Sequence, residues 1–219
     1  MLTVHHLNDS RSQRVLWLLE ELEVPYEIRH YQRDPKTMLA PPELKRIHPL
    51  GKSPVVTDGD HTFAETGAIV ELLVDRHGDG RLRPTDPDEL AAWRYWLHYA
   101  EGSAMPPLLM SLVLSRIPSA APRVLRPILR PVMARVSSGF VEPQLATHAD
   151  YWEASLAPTG WFAGSAFSAA DVMMSFPVET GAKRIGYSQR PHLVAFLERI
   201  HARPAYKRAL ERGGPYAYA

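Results

Sequence analysis

The sequence contains no cysteine, and this absence removes whole classes of chemistry. Disulfide bonds, zinc–thiolate sites, iron–sulfur clusters and cysteine nucleophiles all require a thiol or thiolate group. An excess of charge is also lacking, since 25 Lys and Arg oppose 24 Asp and Glu. This balance, with no basic patch interleaved with aromatic residues, argues against a nucleic-acid partner.

Long hydrophobic runs are absent as well. No stretch reaches the roughly 18 apolar residues of a membrane span, and MLTVHHLNDS at the N-terminus lacks a basic segment followed by an apolar one. We therefore expect a cytoplasmic protein with no membrane partner. No HExxH pattern occurs, and His5 and His6 point to opposite faces of a strand, so no metal site is expected.

Residues 1–78 alternate between strand and helix patterns. The apolar run Leu2–Leu7 predicts a strand, and the following SQRVLWLLEELEV repeats its apolar residues at helical spacing. Pro25 ends that helix, and Tyr26–Tyr31 is a second predicted strand. A strand, a helix and a strand within this length form a βαβ unit, whose strands pair in parallel.

A β-hairpin and a helix complete this first domain. An Asp-Gly turn between two short β-favouring runs, Val55–Thr57 and His61–Ala64, predicts the hairpin. In the helix that follows, Thr66 is the expected N-cap and Gly78 the expected left-handed residue at the C-terminal end. The order of the domain is therefore βαβ followed by ββα.

Strand patterns vanish after the polar, proline-containing residues 79–88, which we interpret as a linker. Residues 89–219 then contain helical patterns only, which predicts an α/β domain followed by an all-α domain. The clearest helical segments are Leu90–Glu101, Val141–Leu156, Ala169–Thr180 and His192–Arg203.

An amphipathic segment, residues 114–136, lies between those helices. Three arginines share one face and three apolar residues share another: Arg123, Arg126, Arg130, Val124, Ile128 and Val132. A helix on a membrane surface has this pattern, but we expect a solvated basic face over a packed apolar one. Prolines 127 and 131 favour a broken, packed segment.

The stretch Gly51-Lys52-Ser53-Pro54-Val55 is the first feature that suggests a binding site. Proline cannot donate a hydrogen bond to a sheet, so its place at a strand entry is unusual. A cis Ser53–Pro54 bond would expose the backbone N–H and C=O of Ser53, to which a peptide-like ligand can pair. A trans proline in an ordinary loop is the alternative.

Two helix starts are further candidate sites. At Glu65-Thr66, free N–H groups and the helix dipole favour a carboxylate, and Glu65 can hold an ammonium group. At Ser10–Ser12, a hydroxyl can donate a hydrogen bond to a bound thiolate, whose pKa is lowered at helix N-termini. In both places the alternative is a helix cap without a ligand.

The segment FSAADVMM predicts a helix N-terminus in the second domain. Ser168 and Asp171 have the spacing of a capping box, and Phe167 and Val172 have the spacing of a hydrophobic staple. We expect this capping box to stabilise the fold and to take no part in catalysis.

Four motifs together resemble the cytosolic glutathione transferase family along the whole chain: SRSQRVLWLLEEL with VPYE after it, GKSPVV, ETGAIVELL and FSAADVMM. The resemblance implies an N-terminal thioredoxin-like domain that binds glutathione and a helical domain that supplies a pocket for an apolar electrophile. It also implies a homodimer, and no cofactor beyond glutathione as co-substrate.

The same resemblance assigns the glutathione contacts. Pro54 corresponds to the family's cis-proline, and Ser53 pairs through its backbone with the cysteinyl part. Glu65 and Thr66 hold the γ-glutamyl end, and Lys52 reaches the glycine carboxylate.

The thiol-activating residue is ambiguous, because the NDSRSQR turn does not align on one class of the family. Asp9, Ser10, Arg11 and Ser12 all lie within about one residue of the catalytic position. We favour Ser10, with Arg11 second, since Asp9 repels a thiolate. The absence of cysteine argues against the omega-like and beta-like classes.

For the electrophile, we expect a pocket between the domains, with Tyr99 and Met105 on its wall and Leu109 and Met110 as further candidates. Side chains of this kind on a helix more often belong to the core. By analogy, Glu101 approaches the glutathione ammonium, either within its own subunit or from a partner subunit. The predicted function is glutathione conjugation in detoxification; the alternatives are a glutathione-dependent isomerase or peroxidase, or a non-catalytic binder on the same fold.

Overall fold

The structure, a computed structural model, describes all 219 residues. Its four strands are β1 (Leu2–Leu7), β2 (Tyr26–Tyr31), β3 (Val55–Asp58) and β4 (His61–Ala64). They form one sheet in the order β2-β1-β3-β4, in which β1 runs parallel to β2 and antiparallel to β3. The predicted βαβ and ββα units are therefore present, and β3 continues one residue further than expected.

Three helices belong to this first domain: α1 (Ser12–Leu22), α2 (Leu44–Ile47) and α3 (Thr66–His77). Ten of the eleven residues of α1 are buried, including the charged Arg14 and Glu20. An amphipathic helix on the surface of a domain buries only one stripe. Helix α1 is buried on more than one face, because it packs on β1 and α3 of its own domain and also on helices of the second domain.

The second domain is entirely helical, and its helices are α4 (Pro87–Tyr99), α5 (Met105–Ala120), α6 (Arg126–Val136), α7 (Glu142–Leu156), α8 (Ala169–Ile185), α9 (Pro191–Ala202) and α10 (Pro204–Gly213). Helix α4 begins inside the predicted linker. Wide helical turns join α4 to α5 at Ala100–Ala104 and α6 to α7 at Ser137–Val141. One hydrophobic cluster of 43 buried residues continues through both domains.

The predicted N-cap of α3 is wrong, and Gly78 ends the helix as predicted but without the expected left-handed conformation. The N-cap is Glu65, with a left-handed φ of 69°, and Thr66 is the first helical residue and makes no capping hydrogen bond. Gly78 has a φ of −74°, and its N–H donates to the Val74 carbonyl at 2.8 Å. A Cβ at Gly78 would collide with that carbonyl oxygen, so close backbone approach explains this glycine.

The predicted packing of the amphipathic segment is also wrong. Helix α6 is continuous through Pro131 and buries none of its residues. Ile128 is 64% exposed and Val124 81% exposed, because α6 packs mainly on α5 and on the helical turns at its own two ends. No single helix is long and apolar enough to span a membrane; only the bent pair Pro87–Ala120 and Arg123–Leu156 meets that criterion together.

The predicted capping box opens α8. Asp171 accepts a hydrogen bond from the Ser168 N–H at 2.8 Å, and Ser168 Oγ accepts one from Ala170 at 3.3 Å. Asp171 also accepts the N–H of Phe162 at 2.8 Å, which ties the preceding loop to the helix. All these donors are buried, so the box replaces water that they cannot reach.

We expect Ser168→Ala to lower the free energy of unfolding by about 0.5–2 kcal/mol, as for other lost N-caps. Asp171→Ala should cost more, because it leaves two buried N–H groups unpaired at about 1–3 kcal/mol each. Urea unfolding of both variants measures the difference. A loss for Asp171→Ala no larger than that for Ser168→Ala would contradict this account.

Candidate active site

Two loops meet at the C-terminal end of β1. Ser53 Oγ donates to the backbone carbonyl of His5 at 2.9 Å, which holds the loop before β3 against that strand. The Ser53–Pro54 bond is cis, as the resemblance implies. Pro54 is buried, while Lys52 is exposed and forms no ion pair. The backbone of Ser53 and the charge of Lys52 therefore lie beside the turn that leads into α1.

The start of α3 provides a carboxylate and backbone N–H groups without helical partners. Glu65 is exposed, and Thr66 is buried at the first position of the helix, where backbone N–H groups have no partner within the helix. Burial lowers the pKa of Arg11, and the negative charges of Glu101 and Glu65 act against that shift. The charge of Glu65 therefore acts on Arg11, although the ion pair of Arg11 is with Glu101.

The turn between β1 and α1 contains two linked hydroxyl groups. Ser10 Oγ and Ser12 Oγ lie 2.7 Å apart, and Ser12 Oγ lies 2.8 Å from Nδ1 of His6. Ser10 Oγ also accepts the N–H of Ser12 at 3.2 Å. Ser10 is 4% exposed and Ser12 is fully buried. Neither serine is the N-cap of α1, because Arg11 holds that position and Ser12 is the first helical residue.

Arg11 belongs to a group of three charges that joins the domains. Its Nε lies 2.9 Å from Oε2 of Glu101, and Arg14 contacts the other carboxylate oxygen. Burial raises the pKa of Glu101, but the charges of Arg14 and Arg11 outweigh it and hold the pKa below the usual range. This group holds two positive charges and one negative charge, and Glu65 adds a second negative charge nearby.

Sequence reasoning missed Arg14, which is 1% exposed and donates to the Met173 carbonyl at 2.8 Å. A signal was present, because Arg14 lies one turn from Leu18 on the apolar face of α1, and a charge there needs a buried partner. The ammonium role expected for Glu101 has no support from this geometry, since both carboxylate oxygens face arginines of the same chain.

The two electrophile candidates lie in the core. Tyr99 accepts a hydrogen bond from Nε1 of Trp152 at 3.1 Å and contacts His148 within an aromatic cluster. Met105 is 7% exposed. Leu109 and Met110, farther along α5, are about half exposed. Tyr99 and Met105 therefore pack in the protein core, which was the alternative to a place on the pocket wall.

Comparison with known proteins identifies the chain. Residues 1–75 match the model of the glutathione S-transferase N-terminal domain, and residues 131–212 match that of the C-terminal domain. The chain belongs to the glutathione S-transferase family. Glutathione S-transferase 3 of Schizosaccharomyces pombe is 38% identical over 216 residues, which are 97% of this chain and 88% of that protein.

Further relatives agree with this assignment. Glutathione S-transferase 1 of Saccharomyces cerevisiae is 31% identical over 97% of this chain and 95% of its own length. A crystal structure of a glutathione S-transferase from Actinobacillus pleuropneumoniae is 32% identical, covers 97% of this chain and 93% of its own, and superposes with a TM-score of 0.83. The family's thioredoxin-like domain and helical domain are those described above.

Proposed function

We propose that this protein is a glutathione transferase that binds glutathione and adds its sulfur to an apolar electrophile. The observation that carries the proposal is the cis Ser53–Pro54 loop, which Ser53 Oγ attaches to β1 at His5, the strand whose following turn contains Ser10 and Arg11. The relatives' names support the transferase reaction.

Each part of glutathione has a chemical match in this site. The cysteinyl backbone pairs with the N–H and C=O of Ser53. The γ-glutamyl carboxylate takes the N–H groups at the start of α3, including that of Thr66, and Glu65 holds the ammonium group. Lys52, exposed and without an ion pair, is free to bind the glycine carboxylate. Pro54 shapes the loop.

The thiol then lies at the turn that contains Ser10 and Arg11. A free thiol has a pKa of about 8.5, and helix N-termini and nearby cations lower it. The thiolate attacks the electrophile, the sulfur–carbon bond forms, and a leaving group departs with the electron pair of its bond. Holding both reactants together supplies much of the acceleration. The proposed reaction uses no metal ion and no redox cofactor; glutathione is the co-substrate.

Leu109 and Met110 on α5 are the most accessible apolar side chains among our electrophile candidates; Tyr99 and Met105 would support them from the core. We propose a cytoplasmic protein. We also propose a homodimer, since the exposed apolar side chains of α5 and α6 offer a surface that a second copy can bury. Sedimentation velocity tests the dimer.

Calorimetric titration with glutathione, followed by conjugation of an activated aryl chloride, tests the function. We expect saturable binding and turnover with both substrates. Binding without turnover would support the non-catalytic alternative, and turnover only with hydroperoxides or isomerisable substrates would support the other two. Absence of glutathione binding would overturn the proposal.

A further inference from the structure

A short tail, residues 214–219, follows α10 and returns to the candidate active site. Tyr216 anchors it, because its hydroxyl donates to Oε2 of Glu179 on α8 at 2.6 Å, and Glu179 is only 2% exposed. Burial and the charge of Glu179 hold the pKa of Tyr216 well above its usual value, so the hydroxyl keeps its hydrogen. The tail is therefore attached to the second domain.

Aromatic rings and a lysine extend this attachment. The ring centroids of Tyr216 and Tyr218 lie 6.5 and 5.5 Å from that of Phe176 on α8. Lys183, on the same helix, donates to the Ala217 carbonyl and lies over the Tyr218 ring. Three consecutive residues of the tail thus contact α8, and these contacts fix the direction of the backbone N–H of Ala217.

This N–H group points at the turn between β1 and α1. It donates to Oδ1 of Asp9 at 2.7 Å, and Oδ2 of Asp9 accepts from Nδ2 of Asn8 at 3.4 Å. Arg33 holds the backbone of the turn, since it donates to the carbonyls of Asn8 and Asp9 at 3.2 and 3.4 Å, but it forms no ion pair with the Asp9 carboxylate. The tail therefore provides the shorter of the two hydrogen bonds to this carboxylate.

The direction of the carboxylate matters because Asp9 directly precedes Ser10 and Arg11. Asp9 has a left-handed φ of 47° where the chain reverses from β1 into α1. A carboxylate at this place is a like charge for a thiolate, and a like charge disfavours ionisation. It is also a competing partner for Arg11, whose ion pair is with Glu101. Both effects would raise the pKa of a bound thiol.

We infer that the tail holds the Asp9 carboxylate away from bound glutathione, with the backbone N–H of Ala217 as the positioning group. The inference rests on the proposed function. A hydrogen bond to a charged acceptor is stronger than one between neutral groups, so Ala217 keeps one carboxylate oxygen at the tail. The charge that disfavoured Asp9 as the activating residue is thereby turned aside, and Ser10 and Arg11 are left to act on the thiol.

Ala217→Pro tests this arrangement, because proline has no backbone N–H. We expect the pKa of the bound thiol to rise by about one unit as the carboxylate is released, and turnover below that pKa to fall about tenfold. Thiolate absorbance against pH and steady-state turnover measure the two effects. Ala219→Pro is the matched control, since the N–H of Ala219 forms no hydrogen bond, and it should titrate like the parent protein.

The double variant Asp9→Asn/Ala217→Pro separates the charge of Asp9 from the geometry of the turn. No carboxylate remains to approach the thiol, so the double variant should titrate like Asp9→Asn alone. A rise that persists in the double variant would come from a displaced turn, and it would overturn the inference.

The outcomes also separate this inference from the proposed function. A rise in Ala217→Pro that Asp9→Asn suppresses supports the inference. An unchanged or lower thiol pKa in an Ala217→Pro protein that still binds glutathione overturns it and leaves the function intact. Failure of the parent protein to bind glutathione overturns both. If Ala217→Pro does not fold, Tyr216→Phe, which removes the hydrogen bond from the tail to Glu179, should also raise the thiol pKa, and the absence of that rise overturns the inference.

Discussion

The Arg14→Met variant is expected to lose about 3–5 kcal/mol of unfolding free energy, the usual cost of removing one partner from a buried ion pair. Arg14 is 1% exposed and contacts Glu101 of the second domain as well as the Met173 carbonyl. Methionine fills a similar volume but leaves that carbonyl unpaired and Glu101 with one cation. Urea unfolding at neutral pH measures the loss.

The variant Glu101→Gln removes the negative charge of this ion group and keeps the shape of the side chain. The pKa of Glu101 is depressed in the folded protein, so its charge stabilises the fold above the unfolded-state pKa, about 4.3. This contribution is lost as pH falls through the lower folded-state pKa. The parent protein should therefore lose more stability below pH 4.3 than Glu101→Gln does. Equal acid sensitivity, or a loss under 1 kcal/mol for Arg14→Met, would contradict the description of this ion group.

Arg11→Ala is expected to raise the pKa of bound glutathione by about one to three units, the usual effect of losing a nearby opposite charge. Because the rate follows the fraction of thiolate, turnover measured at a pH below the parent thiol pKa should fall about 10- to 1,000-fold. Glu101 keeps Arg14 as a partner, so the fold should persist. Thiolate absorbance against pH and steady-state turnover measure the two effects.

Arg130→Ala removes the same charge at an exposed position on α6 that forms no ion pair with Glu101, and it should change neither quantity. Arg11→Lys should retain part of the activity, since it keeps the charge but not the geometry of the guanidinium. If Ser10→Ala lowered turnover and Arg11→Ala did not, Ser10 would be the activating donor that the sequence favoured.

Most of the fold was predictable because its signals are local. The bounds of β1, β2 and β4 follow from short apolar or β-favouring runs between turn residues, and the capping box marks the start of α8. Helix α10 was not predicted as a separate helix, although Pro204 at its start and the spacing of the buried Ala205 and Ala209 are local signals. Arg208 and Arg212 donate to Glu20 on α1 at 2.8 and 2.9 Å, and no spacing in the sequence announces that pairing.

Within the candidate site, the sequence indicates only those positions that the backbone defines. The places of Ser53, Pro54, Glu65 and Thr66 follow from a strand entry and a helix start. The ion pair of Arg11 depends instead on Glu101, which lies in the second domain. Such an arrangement becomes visible only when the side chains are placed in three dimensions.

The most direct test of the central claim is the ultraviolet absorbance of the thiolate of glutathione bound to the unmodified protein, followed against pH. S-methylglutathione, which has no ionisable thiol, provides the blank. We predict a titration clearly below the pKa of about 8.5 of a free thiol, shifted upward in Arg11→Ala. Saturable binding with an unshifted titration would contradict the claim that this site activates the thiol.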